Sequence, residues 1–305
     1  MRFGVYVTQF GPAATREAVL ELAQLAESLQ YDAICVSDHL VFPATIRSRY
    51  PYMTDGRYPV PPGTPYLESL TLLAFLAACT SRVRLVTSVL VLPQRNPVEV
   101  AKMYSCIDVL SGGRLIAGVG VGWLEEEFAL LGVPFEDRGP RTEEYVRLMK
   151  VLWTEQEPRF DGRYYSLPEA RMEPKPLQKP HPPIWMGGHT PAALRRAARL
   201  ADGWLAVDVE GKSLSTVAKQ YSLLQSLARE YGRAPSSLGL NILTGVFFDV
   251  SDRWGAISQM RACQEAGADY VLVRFRPGPT AESTLENYRQ GMRWFAEEVR
   301  PAVVG

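Results

Sequence analysis

Asp38-His39 is the pair in this 305-residue chain whose types and spacing point most directly to proton chemistry. Histidine changes charge near neutral pH and can carry a proton in either direction. Asp38 could orient that ring or hold a cofactor; alternatively it caps a turn beside a packed imidazole. A second constellation is Gly187-Gly188-His189-Thr190-Pro191. Its glycines would expose amide donors just before a helix, and Thr-Pro is a cap followed by a favoured first helical residue. Such helix starts attract phosphate; the alternative is a plain glycine turn, with His189 either a helper donor or an exposed ring. Gly118, Gly120 and Gly122 crowd together before Trp123. This predicts close approach by a ligand or by another stretch of backbone. It is not a dinucleotide fingerprint, because the third glycine falls one residue early. Trp123 is a core aromatic or the wall of a pocket, and its place after a glycine-rich strand end favours the pocket. The following Glu125-Glu126-Glu127 reads as a solvated helix start rather than an acid/base group.

The elements that must position these residues alternate between strand and helix. Apolar runs predict strands at 2–8, 33–37, 83–91, 115–119, 184–186, 204–207, 238–248 and 269–274. Amphipathic stretches between them predict helices, including 15–29, 68–80, 139–153, 191–201, 212–231, 253–265 and 281–299. Asn96-Pro97-Val98-Glu99 signals a capped helix start, and Ser111-Gly112-Gly113 its end. Eight strands, each followed by a helix, predict a parallel α/β architecture. An open doubly wound sheet is the alternative to a closed (β/α)8 TIM barrel. In a barrel, active sites form at the carboxyl ends of the strands. Those ends carry Thr8-Gln9, Asp38-His39, Thr87-Ser88-Val89, Gly120 to Trp123, Gly187 to Thr190, Asp208, and Arg274 with Arg276. Two segments interrupt the alternation. Residues 42–66 are rich in Pro and Tyr, with Arg47, Arg49 and Arg57, and form either a lid or a mobile surface loop. Residues 155–182 hold an Asp-Gly hairpin signal at 160–165 and a Pro-rich run.

With 47% hydrophobic and 22% charged residues, the chain has ample material for a core, and its length suits one TIM-barrel domain with insertions over 1–305. Thirty-three basic residues balance thirty-three acidic ones, leaving no electrostatic footprint for nucleic acid or an anionic membrane. No apolar run is long enough to span a bilayer. MRFGVYVTQF enters a strand without signal-peptide architecture, so the cytoplasm is expected. Cys35, Cys79, Cys106 and Cys263 are widely spaced in apolar contexts, which predicts reduced thiols. Without HExxH, a CxxC pair, G-x-S-x-G or a Walker loop, no metal site, serine hydrolase or kinase is expected.

Thr87-Ser88-Val89, Asn96-Pro97, Gly118-Val-Gly-Val-Gly-Trp123 and Trp185-Met-Gly-Gly188 together resemble the luciferase-like monooxygenase superfamily, in particular its coenzyme F420-dependent oxidoreductase branch. The resemblance covers nearly the whole chain and favours the closed barrel, with insertions at the carboxyl face of the strands. It implies hydride transfer between C5 of the deazaflavin and an organic substrate. By the same resemblance, His39 with Asp38 is catalytic. Thr87, Ser88, Val89, Gly120, Gly187, Gly188, His189 and Thr190 would bind the cofactor, with a cis peptide at Ser88-Val89 supporting the ring and the Gly-Gly segment its phosphate. Thr8, Tyr66, Trp123 and Arg274 would line the substrate pocket. Reduced FMN with oxygen is the rival cofactor chemistry, and a non-catalytic flavin-binding protein is the second rival. The sugar-phosphate dehydrogenase branch carries a glutamate where this chain has Trp123, which argues against sugar phosphate oxidation. A homodimer is implied by the resemblance alone.

Overall fold

The computed structural model describes residues 1–208, 214–244 and 247–304. Eight parallel strands close on themselves: β1 (Arg2–Tyr6), β2 (Ala33–Val36), β3 (Arg84–Thr87), β4 (Leu115–Gly120), β5 (Ile184–Gly187), β6 (Gly203–Asp208), β7 (Gly239–Thr244) and β8 (Tyr270–Val273). The helices are α1 (Arg16–Ser28), α2 (Ser69–Cys79), α3 (Pro97–Leu110), α4 (Glu125–Leu130), α5 (Arg138–Thr154), α6 (Pro191–Leu200), α7 (Leu214–Glu230), α8 (Arg253–Glu265), α9 (Ala281–Trp294) and the single turn α10 (Pro301–Val304). This is the closed TIM barrel that eight repeats together with the family resemblance favour; the open sheet is excluded because β3 pairs with β4 and β8 returns to β1. Residues 212–213 of the expected helix and 245–246 of the expected strand lie outside the described residues.

Alternation along the strands decides which side chains fill the barrel. Cys35, Val86, Ile116, Trp185, Leu205 and Leu272 pack inside it. Their neighbours Ile34, Leu85, Leu115, Ile184, Trp204 and Val271 face the helices. Gly4 makes room for this interior: a Cβ there would meet Leu272 at 2.7 Å and Ala33 at 3.2 Å. Among the described residues, no helix is long and apolar enough to cross a membrane.

Two expectations need correction. The apolar run 83–91 is not one strand; β3 stops at Thr87, a cis peptide joins Ser88 to Val89, and Leu90–Val91 resumes pairing with β4. Hydropathy could not see the break, because Thr87, Ser88 and Leu90 are buried and Val89 is apolar and half-buried. The last helix, expected to 299, becomes a π-turn over Phe295–Val299.

Glu27, near the end of α1, pins the turn before β3. Its carboxylate accepts from the Ser81, Arg82 and Val83 amides at 3.0, 2.6 and 2.8 Å. Partial burial works against the charged form, but those amides prevail and hold the carboxyl near a pKa of about 2. A depressed folded pKa contributes stability above the unfolded value and loses it as pH falls through the folded one. Glu27→Gln should therefore lower the melting temperature at pH 7 and converge with wild type as pH approaches 2. Thermal scans between these limits check this; a gap independent of pH would contradict it.

Candidate functional site

At the carboxyl end of β2 the chain delivers Asp38 and His39 into a cavity of about 690 Å³. His39 is 7% exposed, and its Nδ1 lies 2.9 Å from Glu127 Oε2. The other oxygen, Oε1, accepts from the amides of Leu40 at 2.7 Å and Val41 at 3.3 Å. Burial opposes charge on Glu127, yet its bond to His39 and these two amides outweigh it, leaving the carboxyl below the usual carboxylate range. An ionised Glu127 only accepts, so Nδ1 carries the proton, and in the neutral form of the ring Nε2 holds the lone pair. Nε2 has no hydrogen-bond partner among the described residues, and the ring lines the cavity. The dyad can thus take up or release a proton at Nε2 while the carboxylate fixes the tautomer.

This overturns two expectations. Glu127 is 1% exposed, not solvated. It sits on the inner side of the short α4, beside Phe128, where the run of three acids hides it from a hydropathy reading. Its neighbour Glu126 grips the Arg47 and Ser48 amides at 2.7 and 3.0 Å, so consecutive glutamates clamp both ends of the segment 39–48. Asp38, expected to orient His39, faces elsewhere. Its carboxylate accepts from Ser69 Oγ (2.7 Å), the Val91 amide (2.9 Å) and Arg95 (2.6 Å), while Arg95 also reaches Glu68 at 3.1 Å. Arg95, just before the Asn96 cap, was missed, although a cation ending a buried apolar run is itself a signal.

The aromatic residues of the 42–66 segment form a wall over the imidazole. Tyr50, Tyr58 and Trp123 line the cavity, and the Tyr58 and Trp123 rings approach the His39 ring at 5.2 and 6.0 Å. Burial raises the Tyr50 and Tyr58 phenols above their ordinary value, so they remain protonated donors. Trp123 faces the cavity as expected. Tyr66 instead stands behind His39, stacked on Phe10 and bonded to Ser37 Oγ at 2.5 Å. Thr8 is buried against the Phe10 carbonyl, and Arg274 donates to the Thr244 carbonyl at 3.0 Å beside Phe247. Thr8, Tyr66 and Arg274 are absent from the lining.

Ser88, Val89 and Gly120 form the floor. A Cβ on Gly120 would meet Val89 Cγ2 at 2.4 Å, and one on Gly118 would strike the Thr87 carbonyl oxygen at 1.8 Å. The glycine crowding thus admits backbone at Gly118 and a floor side chain at Gly120. Thr87 Oγ1 is spent on Gly118 and Tyr104, which makes it a brace between β3 and β4 and not a ligand group.

The opposite end is built by Gly187 to Thr190 and α6. Thr190 caps the helix by accepting from the Ala193 amide at 3.2 Å, and Gly188 takes φ +114°, a conformation glycine supplies freely. His189 Nε2 accepts from the Val207 amide at 3.0 Å, which leaves Nδ1 to donate to Gln220 at 2.8 Å. It ties α6 and α7 to β6. Two cations that sequence reading missed complete this end, Arg138 and Arg196. Arg196 occupies a position on α6 flanked by buried Ala193, Leu194, Ala197 and Ala198. A charge on an apolar helical face was its signal.

Residues 1–292 match the luciferase-like monooxygenase family. An uncharacterized protein of Mycobacterium tuberculosis is 34% identical over 284 residues, 92% of this chain and 93% of its own length. An FMNH2-dependent dimethylsulfone monooxygenase of Pseudomonas putida is 33% identical, covering 57% of this chain and 47% of that protein. An F420-dependent glucose-6-phosphate dehydrogenase of Microbacterium testaceum is 32% identical, covering 71% and 59% respectively. Among solved structures, the monooxygenase RslO1 of Streptomyces bottropensis superposes with a TM-score of 0.77 over 99% of both chains at 23% identity. Barrel, cleft and sequence agree that the chain belongs to the luciferase-like monooxygenase family of flavin- or deazaflavin-dependent oxidoreductases.

Proposed function

We propose that this chain is a coenzyme F420-dependent oxidoreductase, exchanging a hydride between the deazaflavin and a small organic substrate. One observation carries the reading: a single cavity is lined by His39, by a cradle of Gly187 to Thr190 with Arg196, and by Val89 as its floor. The residues fit a planar ring with a phosphate side chain. Ser88 Oγ and Arg196 Nε are buried without partners, at the floor and at the cradle. A buried polar group left unpaired costs about 1–3 kcal/mol, so both favour a polar ligand.

When bound, the cofactor supplies or accepts the hydride. The protein's part is position and proton. Gly187, Gly188 and the capped start of α6 offer amides to the phosphate, and the Arg138 and Arg196 guanidiniums supply countercharge. Val89 holds the ring from below. Tyr50, Tyr58 and Trp123 shield the space above His39 and suit an apolar substrate body. His39 Nε2 then accepts a proton from a hydroxyl being oxidised, or returns one to the developing alkoxide. That need for a proton carrier favours hydride exchange with an alcohol or carbonyl group. The FMN-dependent sulfone monooxygenase among the relatives supports the rival, reduced FMN with oxygen.

Equilibrium titration with oxidised F420 and with FMN tests the proposal. F420 should bind at micromolar or lower Kd, on the order of −8 kcal/mol, and FMN more weakly. Preferential binding of FMN would transfer the assignment to the rival; binding of neither would remove it.

A further inference from the structure

Outside the cavity, α5, α6 and the hairpin at 160–167 enclose a second hollow of about 290 Å³. Pro140, Ala192 and Arg196 line both spaces, so the outer hollow continues the phosphate end of the inner one across Arg196. Its walls carry Arg147, Arg163, Arg195, Arg196 and Arg199 against only Glu143 and Glu144. The acids are already engaged. Glu143 pairs with Arg147 at 2.7 Å and Arg199 at 2.6 Å. Glu144 accepts from the Arg163, Tyr164 and Tyr165 amides at 2.7–2.9 Å. Arg163 and Arg195 are exposed and have no carboxylate within ion-pair distance among the described residues. Arg196, at the junction, is 8% exposed, and its Nε is buried without a partner.

A balanced surface has no use for such a gradient. The chain has no net charge, yet cations accumulate along one path leading outward from the phosphate cradle. Guanidiniums suit carboxylates by geometry as well as charge. A phosphate monoester such as FMN terminates at the cradle and would leave the outer groove unfilled. A ligand whose phosphate is a diester, continuing into a flexible chain of carboxylates, would run over Arg196 and out between α5 and α6.

We infer that this groove is the exit path of the cofactor's acidic tail, an extension that rests on the F420 reading. Arg196 sits where phosphate and tail meet, and Arg163 and Arg195 contact successive carboxylates further out. The tail, not the ring, then sets much of the preference for deazaflavin over FMN, and it does so in a salt-dependent manner.

The test compares Kd values, by fluorescence titration, for deazaflavin cofactor with no glutamate, short and long oligoglutamate tails, and for FMN. Wild type and the Arg163→Gln/Arg195→Gln double variant are measured at low and high salt. Neither substitution touches the cavity or breaks an ion pair, so the fold should persist. The long-tailed form should bind wild type more tightly than the tail-less one. The double variant should lose roughly fivefold in affinity for the long tail, the worth of two exposed charge contacts. Its affinity for the tail-less form and FMN should be unchanged. Tail-independent binding to wild type, or equal weakening of every ligand in the variant, would overturn the inference alone. Failure of every deazaflavin form to bind would overturn the F420 reading with it.

Discussion

Replacing His39 with Gln should lower the turnover of the deazaflavin-dependent reaction by about 10²–10⁴-fold, the usual worth of a positioned acid/base group. Cofactor affinity should be little changed. The side-chain amide of Gln can still donate to Glu127, so the buried carboxylate keeps a partner and the fold survives. Its remaining atoms cannot exchange a proton near neutral pH. Glu127→Gln should act through the ring. An amide cannot receive Nδ1–H and both the Leu40 and Val41 amides without turning its own NH2 toward a donor. The fixed tautomer is then lost, and kcat should fall more than KM changes. A direct catalytic acid at Glu127 would add its loss to that of His39, whereas a positioning residue would not. The His39→Gln/Glu127→Gln double variant should therefore be no slower than His39→Gln alone. Steady-state kinetics of the three variants decide this, and additive losses would contradict the dyad.

The second large effect is on stability. Arg95→Met should destabilise the protein by roughly 3–5 kcal/mol, the range seen when one partner of a buried ion pair is removed. The Asp38 side chain is 0% exposed and would keep only Ser69 and the Val91 amide as partners. For a chain of this size the melting temperature should drop by about 5–8 °C. Neutralising the orphan should recover much of the loss, so Asp38→Asn/Arg95→Met should melt well above the single variant. Calorimetry of both checks the claim; a double variant no better than the single one would show that Asp38 does not carry the penalty.

Much of this molecule was legible from sequence because barrel physics writes itself locally. Buried parallel strands are apolar runs, and caps such as Asn96-Pro97 and Thr190-Pro191 are short-range signals that reappear as hydrogen bonds in the fold. His39 could be found because a strand end is a predictable place for chemistry. Its partner could not, since Glu127 comes from a helix 88 residues away and chain neighbours are a poor guide to contacts across a barrel mouth. Asp38, adjacent in sequence, was the natural but mistaken partner; successive residues leaving a strand diverge, and this one turns toward α2 and Arg95. Thr87 shows the converse error. The resemblance implied cofactor contact there, yet Thr87 Oγ1 closes the gap between two strands. Of the missed cations, Arg95 and Arg196 carried a local signal in their apolar neighbours, whereas the half-buried Arg138 looks like a surface residue until its surroundings are known.

The account's central claim is that a planar redox ring lies on Val89 with its reactive edge beside His39. A crystal structure of the protein with bound deazaflavin cofactor measures this directly. The account predicts the ring's central portion within about 4 Å of the Val89 side chain, the phosphate on the Gly187-Gly188 amides, and His39 Nε2 facing the ring edge. A ring bound elsewhere, or a His39 imidazole turned away from it, would contradict the account.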